Sequence, residues 1–424
     1  MSRQLQELVA SRKQAGAMRG IYSVCSAHPW VLRAAVRQAK QDAMPLLIEA
    51  TSNQVNQQGG YTGMQPKDFR VLVEDIAAEE GFPSDQLILG GDHLGPNPWQ
   101  SLPVAEAMPL ALEMMRSYAA AGFTKLHLDA SMTCADDTAP LSDETIAERA
   151  AQLCAAAEAA ATGERPVYII GTEVPVPGGA TESLSHLEVT AKAAAEKTLH
   201  VHREIFYKHG LGGVWPRVLG MVVQPGVEFN HDSVVDYIPE RARSLVSLLE
   251  QHPGLVFEAH STDYQNPQGF EDLVRDGFAI LKVGPALTFA MREALFSLET
   301  IERELVEEPK RSNLAGTLES VMVREPANWA RHYHGDPAEQ RRLRRYSYSD
   351  RMRYYWHFAE AQAAVTTLMG NLRQTAVPET LVSAWMPEEH HAVRAGAIAP
   401  DPLEMVLHRI RTALRPYAKA CLPV

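Results

Sequence analysis

Cysteine is scarce in this sequence, and what there is forms no pattern. Cys25, Cys134, Cys154 and Cys421 stand far apart with no CxxC pair among them, which excludes a disulfide framework or a zinc knot and fits reduced thiols. Glycine-rich nucleotide signatures are missing too. The turn after the first candidate strand reads SVCSAHPW, without GxGxxG, and no GxxxxGK[ST] occurs. A dinucleotide fold and a P-loop ATP site are therefore unsupported. No unbroken apolar run is long enough for a bilayer, and the opening MSRQLQELVASRKQAG lacks the apolar centre of a signal peptide. Positive charge is in deficit, 40 Lys plus Arg against 52 Asp plus Glu, a formal charge of −12. That argues against nucleic acid or an anionic membrane as partner. It leaves room for a small anionic substrate, which needs only a few local donors. A cytoplasmic protein is expected.

What is present is an alternation. Short β-branched runs, GIYSVCS (20–26), PLLIEAT (45–51), QLILGGD (86–92), TKLHLDAS (124–131), PVYIIGTE (166–173), RVLGMVVQ (217–224), GLVFEAH (254–260) and FAILKVG (278–284), are separated by segments of helical periodicity. Ser142-Asp143-Glu144 suits the cap and first turn of one such helix. Eight strands that are apolar throughout, each followed by a helix, predict an α/β chain folded as a (β/α)8 TIM barrel over residues 1–310. From 311 to 424 the pattern changes to a mostly helical extension expected to pack on the barrel. It opens with an unusual density of arginine and tyrosine, RRLRRYSYSDRMRYYW (341–356).

In such a barrel the strand C-termini share one mouth, where chemistry gathers. The strand ends deliver Glu49, Asp92-His93, Asp129, Glu173, Gln224, Glu258, His260 and Lys282. A single acid there reads equally well as a helix cap, as Asp129 does. His127, in register with Asp129, reads as a satisfied core imidazole, and Cys25 as core. A ring of ionisable ends is another matter. Its mixed N/O composition suits a divalent metal, zinc or else manganese or another transition ion, with His93, Glu173, Glu258 and His260 as ligands and Gln224 able to add an amide oxygen. Asp92 precedes His93, so in a regular strand the two diverge. A bulge at Gly90-Gly91 is expected to turn both inward, leaving Asp92, with Asp129 or Glu173, to carry protons. EVPVPGGATE (173–182) has the composition of a lid. At LKVGPALTF (281–289) the Gly284-Pro285 turn starts a helix, so its amides and Lys282 suit a phosphate, and Arg351 or Arg353 could clamp it from the extension.

The blocks CSAHP, IEATSNQVNQ followed by GGYTGM, ILGGDHLGPN, HLDASM, GTEVPVPGG, VVQPGVEF, EAHSTDYQ, AILKVGPALTFA and YSYSDRMRYYW together resemble the Z-subunit family of tagatose-1,6-bisphosphate aldolase (GatZ/KbaZ). They run in order over essentially the whole chain. The resemblance implies a barrel related to class II, metal-dependent ketose-bisphosphate aldolases. It implies an acid/base role for Asp92, a ligand role for His93, and counterparts of His260 and Lys282. Those aldolases use a third histidine ligand; the strand-6 position here reads Gln224, so Glu173 or Glu258 is expected to complete the shell. Two functions follow from the family. One is a tagatose-6-phosphate 4-epimerase acting by C3–C4 cleavage on a phosphorylated ketohexose, with Glu49, Gln224, Lys282, Gly284 and Arg351 around the substrate. The other is a non-catalytic subunit that stabilises and activates a catalytic tagatose-bisphosphate aldolase. A homo-oligomer is compatible with either. The family also carries the label tagatose-6-phosphate kinase, which the absence of a nucleotide motif discounts.

Overall fold

A computed structural model describes residues 2–11, 19–172 and 187–422 of the chain. Eight parallel strands form a closed barrel: β1 (Ile21–Val24), β2 (Leu46–Thr51), β3 (Leu87–Leu94), β4 (Lys125–Leu128), β5 (Val167–Ile170), β6 (Val218–Val223), β7 (Val256–Ala259) and β8 (Ile280–Val283). Each pairs with its chain neighbours, and β8 closes on β1. Every strand residue in the barrel is buried, apart from the half-buried Thr51 that ends β2. This is why these strands read in the sequence as apolar runs without polar alternation. Helices cover the outside, among them Pro29–Asp42 after β1, Asp143–Ala160 after β4 and Pro285–Leu305 after β8. The Ser142 side chain caps the second of these, accepting from Thr145 N at 3.2 Å.

Inside, the barrel is layered. Ile21, Leu47, Ile88, Val167, Ile169, Val256 and Ile280 make an apolar floor. Helix Ser2–Ser11 closes it from beneath with Leu5 and Val9, each worth about 1.5–3 kcal/mol when buried. Two residues further along the strands, on the same inward parity, the floor gives way to buried charge: Glu49, Lys125, Glu258 and Lys282. Beyond residue 311 the chain is mainly helical, and its last helix, Pro402–Cys421, packs against helices Pro29–Asp42, Pro267–Arg275 and Pro285–Leu305. Tyr417 of that helix donates to the carbonyl of Thr262, in the loop after β7, at 2.9 Å. Among the described residues no helix is long and apolar enough to cross a membrane.

Candidate metal centre at the barrel mouth

Strand β3 departs from regular pairing between Gly91 and Leu94, and His93 takes a left-handed backbone, φ 49°. The irregularity lies one residue beyond the expected glycine pair and has the expected result. Asp92 and His93 both line the same cleft. Two glycines make room around them. An added Cβ on Gly90 would come within 2.5 Å of Glu49 Oε1, and one on Gly95 within 1.6 Å of the Asp129 carbonyl oxygen.

Beneath the mouth lies an ion network shielded from solvent. Lys125 Nζ bridges Glu49 Oε1 (2.5 Å) and Glu258 Oε2 (2.6 Å). Lys282 Nζ pairs with Glu49 Oε2, with Asp92 Oδ1 at 2.8 Å and with Glu258 Oε1 at 3.8 Å. Ser23 Oγ donates to Glu49 Oε2 at 2.7 Å. Burial opposes charge on every member, yet Asp92 and Glu258 stay well below the usual carboxylate range. His93 and Lys282 hold Asp92 down, and Lys125 and Lys282 hold Glu258 down. Lys282 is pushed up by Asp92 and its other acidic neighbours.

Above the network three imidazoles meet. Their ring centroids are 5.0 Å (His93–His260), 5.3 Å (His127–His260) and 5.4 Å (His93–His127) apart. Each has one nitrogen facing a carboxylate: His93 Nδ1 with Asp129 Oδ2 at 2.7 Å, His127 Nδ1 with Asp92 Oδ1 at 3.1 Å, and His260 Nε2 with Glu258 Oε1 at 2.9 Å. The His93 amide also donates to His127 Nδ1, at 3.3 Å, in competition with the Asp92 carboxylate. A carboxylate that holds one ring N–H fixes the ring and leaves the other nitrogen as a lone pair, the arrangement usual for metal-binding histidines. His127 Nε2 is buried and has no hydrogen-bond partner among the described residues.

The residues fit a divalent ion on three counts. Three imidazoles bound at about 2.0–2.1 Å around a tetrahedral ion place their ring centres about 5.2 Å apart, which the observed separations bracket. One donor atom each from Asp92, His127, Glu258 and His260 lies within 4.8 Å of the others. The third count is charge. Among the described residues, Asp92, Asp129, Glu49 and Glu258 face only Lys125 and Lys282 as fixed cations, leaving two negative charges for a divalent ion to offset. His93 registers that surplus: burial lowers its proton affinity, but Asp92 and Asp129 more than reverse the effect. His260, where burial outweighs Glu258 and Asp92, falls to about 4 and is neutral.

The sequence-derived residues divide accordingly. Asp92, His93, Glu258 and His260 come together. Asp129 faces the back of His93 and also accepts from Ser131 Oγ at 2.7 Å, which makes it an orienting carboxylate in place of a proton carrier. Glu49 lies under the site within the lysine network. Lys282 and Gly284 reach the cleft, but their donors are engaged: Lys282 by three carboxylates, the Gly284 amide by Asp263 Oδ1 at 3.0 Å. Gln224 turns away, its Oε1 accepting from the amides of Gly226 (2.8 Å) and Val227 (3.0 Å). Arg351 is buried with Nη1 on the Asn328 carbonyl, and it is Arg353 that lines the cleft. Glu173 and the segment 173–182 read as a lid fall on residues 173–186, outside the described residues. Cys25 lines the cleft with its thiol pushed far up by burial, so it is no nucleophile.

Sequence reasoning missed His127 as a metal-site residue and missed Lys125 altogether. The signal was there: Lys125, His127 and Asp129 share one inward parity on β4, with no apolar residue between them on that face.

The fold is thus a closed parallel barrel with a buried cluster of histidines and carboxylates at the C-terminal ends of its strands. The chain belongs to the D-tagatose-1,6-bisphosphate aldolase subunit GatZ/KbaZ-like family, which it matches over residues 5–422. A probable tagatose 6 phosphate kinase from Sinorhizobium meliloti 1021 is 52% identical, with 95% of this chain and 100% of that one covered and a TM-score of 0.88. Two more distant structures are a fructuronate-tagaturonate epimerase from Cohnella laeviribosi and a fructose-bisphosphate aldolase from Campylobacter jejuni. The first is 13% identical, covering 95% of this chain and 82% of that one, TM-score 0.49. The second is 13% identical, covering 89% and 96%, TM-score 0.46.

Proposed function

We propose that the protein is a divalent-metal-dependent tagatose-6-phosphate 4-epimerase that works by reversible C3–C4 cleavage. The observation that carries the reading is the His93–His127–His260 cluster, each ring backed by its own carboxylate and two of the rings opening onto the cleft. His127 and His260 would hold the ion, with Asp92 or Glu258 close enough to add an oxygen, and His93, whose ring lies against both imidazoles, would complete the set. When bound, the ion supplies Lewis acidity toward the C2 carbonyl and its neighbouring hydroxyl. Asp92 lines the cleft as a carboxylate, the form that accepts the C4 hydroxyl proton. As that O–H bond breaks, C4–O becomes an aldehyde and the C3–C4 electron pair moves to the C2 oxygen, giving an enediolate. Rotation of the aldehyde, re-formation of C3–C4 on its other face and return of the proton from Asp92 invert C4. Lys282, 2.8 Å from Asp92 Oδ1, holds that carboxylate in place and keeps it ionised between turnovers.

One observation favours a second reading. The family is described as an aldolase subunit, and in that role the chain would act by supporting a catalytic tagatose-bisphosphate aldolase. The test is to give the purified, metal-reconstituted protein tagatose 6-phosphate with no other protein present. The proposal expects fructose 6-phosphate, lost on adding a chelator and restored by zinc or manganese, with little solvent deuterium entering C3 to C5. Triose products in quantity would mark an aldolase. No turnover alone, together with activation of an added class II aldolase, would establish the subunit role instead.

A further inference from the structure

The cleft has two arms of opposite electrical character. One runs from Asp92, His93 and His260 to Asp263 at the start of helix Pro285–Leu305. The other shares Arg353 and Tyr61 with the first and continues to His28, Trp356 and His357. We propose, on the reading that the substrate is a ketose phosphate, that its phosphate docks in the second arm on Arg353 and His28, and that Asp263 reserves the first arm for an uncharged end of the sugar. The protein is then selective for a monophosphate.

Apart from Arg353, which it shares with the second arm, the first arm offers no free cation for a phosphate among the described residues. Asp263 Oδ1 accepts from Gly284 N at 3.0 Å and Ala286 N at 2.8 Å, the helix-start donors that bind anions elsewhere. A carboxylate from the chain already sits in that cup. Burial raises its pKa to about 6 against those amides, so it is mostly ionised at neutral pH. Lys282 is bound to Glu49, Asp92 and Glu258. With Arg353 holding the first phosphate, a second one here would face Asp263 and Asp92 with no cation of its own among the described residues. A hydroxyl can donate to the unoccupied Oδ2 of Asp263.

The second arm has the reverse character. Neither Arg351 nor Arg353 has a carboxylate within 4.0 Å among the described residues, while most of the other described arginines do. Both guanidiniums pack against the Tyr354 ring, at 5.8 and 4.5 Å. Burial would raise the Tyr354 phenol, yet Arg353 and Arg351 pull it below its ordinary value, a measure of the positive potential there. Arg353 gives Nη1 to the carbonyls of Ser349 and Asp350 and Nη2 to Tyr354 Oη. Three of five donors are taken. The remainder can meet phosphate oxygens. His28 adds a neutral donor: its Nδ1 accepts from Trp30 N at 3.3 Å, which puts the ring proton on Nε2, and burial keeps its pKa at about 4.

Calorimetric titration of the full chain with inorganic phosphate, tagatose 6-phosphate and tagatose 1,6-bisphosphate tests this without requiring turnover. Arg353→Gln is expected to weaken phosphate and monophosphate binding at least tenfold, Arg353→Lys less, and His28→Gln about threefold to tenfold. Asp263→Asn is expected to strengthen bisphosphate binding at least tenfold relative to monophosphate. Thermal melts identify any variant that fails to fold, and the Lys and His28 variants then carry the test. Phosphate affinity unchanged in folded Arg353 and His28 variants would overturn the assignment, as would wild-type protein that prefers the bisphosphate. If phosphate is lost with Arg353 but tagatose 6-phosphate is never turned over, the subsite stands and the epimerase reading fails.

Discussion

His93 Nδ1 lies 2.7 Å from Asp129 Oδ2, with both side chains almost wholly inaccessible to solvent. The bond crosses from β3 to the end of β4, and it decides which nitrogen of His93 is left for a ligand. Asp129 stays far below the usual carboxylate range: burial opposes its charge, and the hydrogen bond and charge of His93, with smaller help from His127 and Ser131, together outweigh that penalty. Asp129→Asn keeps the shape and loses the charge. It is expected to weaken zinc binding about 10–100-fold with an unchanged far-UV spectrum, as read by competition with a chromogenic chelator. Undiminished affinity would remove Asp129 from the orienting role.

Gly95 allows that bond to form, because any Cβ there would overlap the Asp129 carbonyl. Gly95→Ala must displace β3 from β4 and carry Asp129 with it. The variant is expected to lose stoichiometric metal and several degrees of melting temperature together, measured by elemental analysis and calorimetry. Gly63→Ala is the control: its φ is positive, unlike that of Gly95, but nothing lies within 4 Å of the added atom, so it is expected to keep its metal.

Lys125 is the hinge of the buried network, fully inaccessible and within 2.6 Å of two carboxylates that are equally so. Lys125→Met leaves Glu49 and Glu258 short of a counter-charge. Removing one member of such a group costs about 3–5 kcal/mol, to be read from denaturant unfolding. Adding Glu258→Gln is expected to recover part of the loss, whereas strict additivity would mean that the two do not interact.

The barrel was legible because its physics is local. Parallel strands covered on both faces must be apolar along their length, and all eight runs seen in the sequence are strands in the structure. The site was legible in part. Strand ends announce themselves by a change from apolar to ionisable, which picked out Asp92, His93, Glu258 and His260. Residues deeper in a strand give a weaker signal, such as the shared parity of Lys125, His127 and Asp129. His127 lies between Leu126 and Leu128 and so read as core; only the coordinates show that its Nε2 lacks, among the described residues, the partner a core imidazole needs. Gln224 shows the converse, a polar strand end whose oxygen is required by its own turn. The Lys282–Gly284 turn looked like a phosphate cup because the carboxylate that fills it, Asp263, comes from a different strand's loop.

Acid should act first on the C-terminal helices. Buried Glu389 accepts from Arg409 at 2.5 and 2.8 Å and meets His408 at 3.4 Å. Burial would raise it, but His408 and Arg409 bring it from 4.5 down to about 2. A folded-state value below the unfolded one contributes stability that is present above the unfolded pKa and lost as pH falls through the folded one. The unfolding free energy is therefore expected to drop between pH 4.5 and 2. Glu389→Gln should flatten that slope and cost about 3 kcal/mol at neutral pH. An unchanged slope would show that Glu389 is not what acid attacks.

The central claim is that His93, His127 and His260 surround one divalent ion. Anomalous X-ray diffraction at the zinc edge, from crystals of the full chain grown with zinc, tests it most directly. One strong peak bonded to all three imidazoles is expected, absent from His127→Ala crystals of the same form. A map with no peak there, or with the ion bound elsewhere while His127 points away from it, would contradict the account.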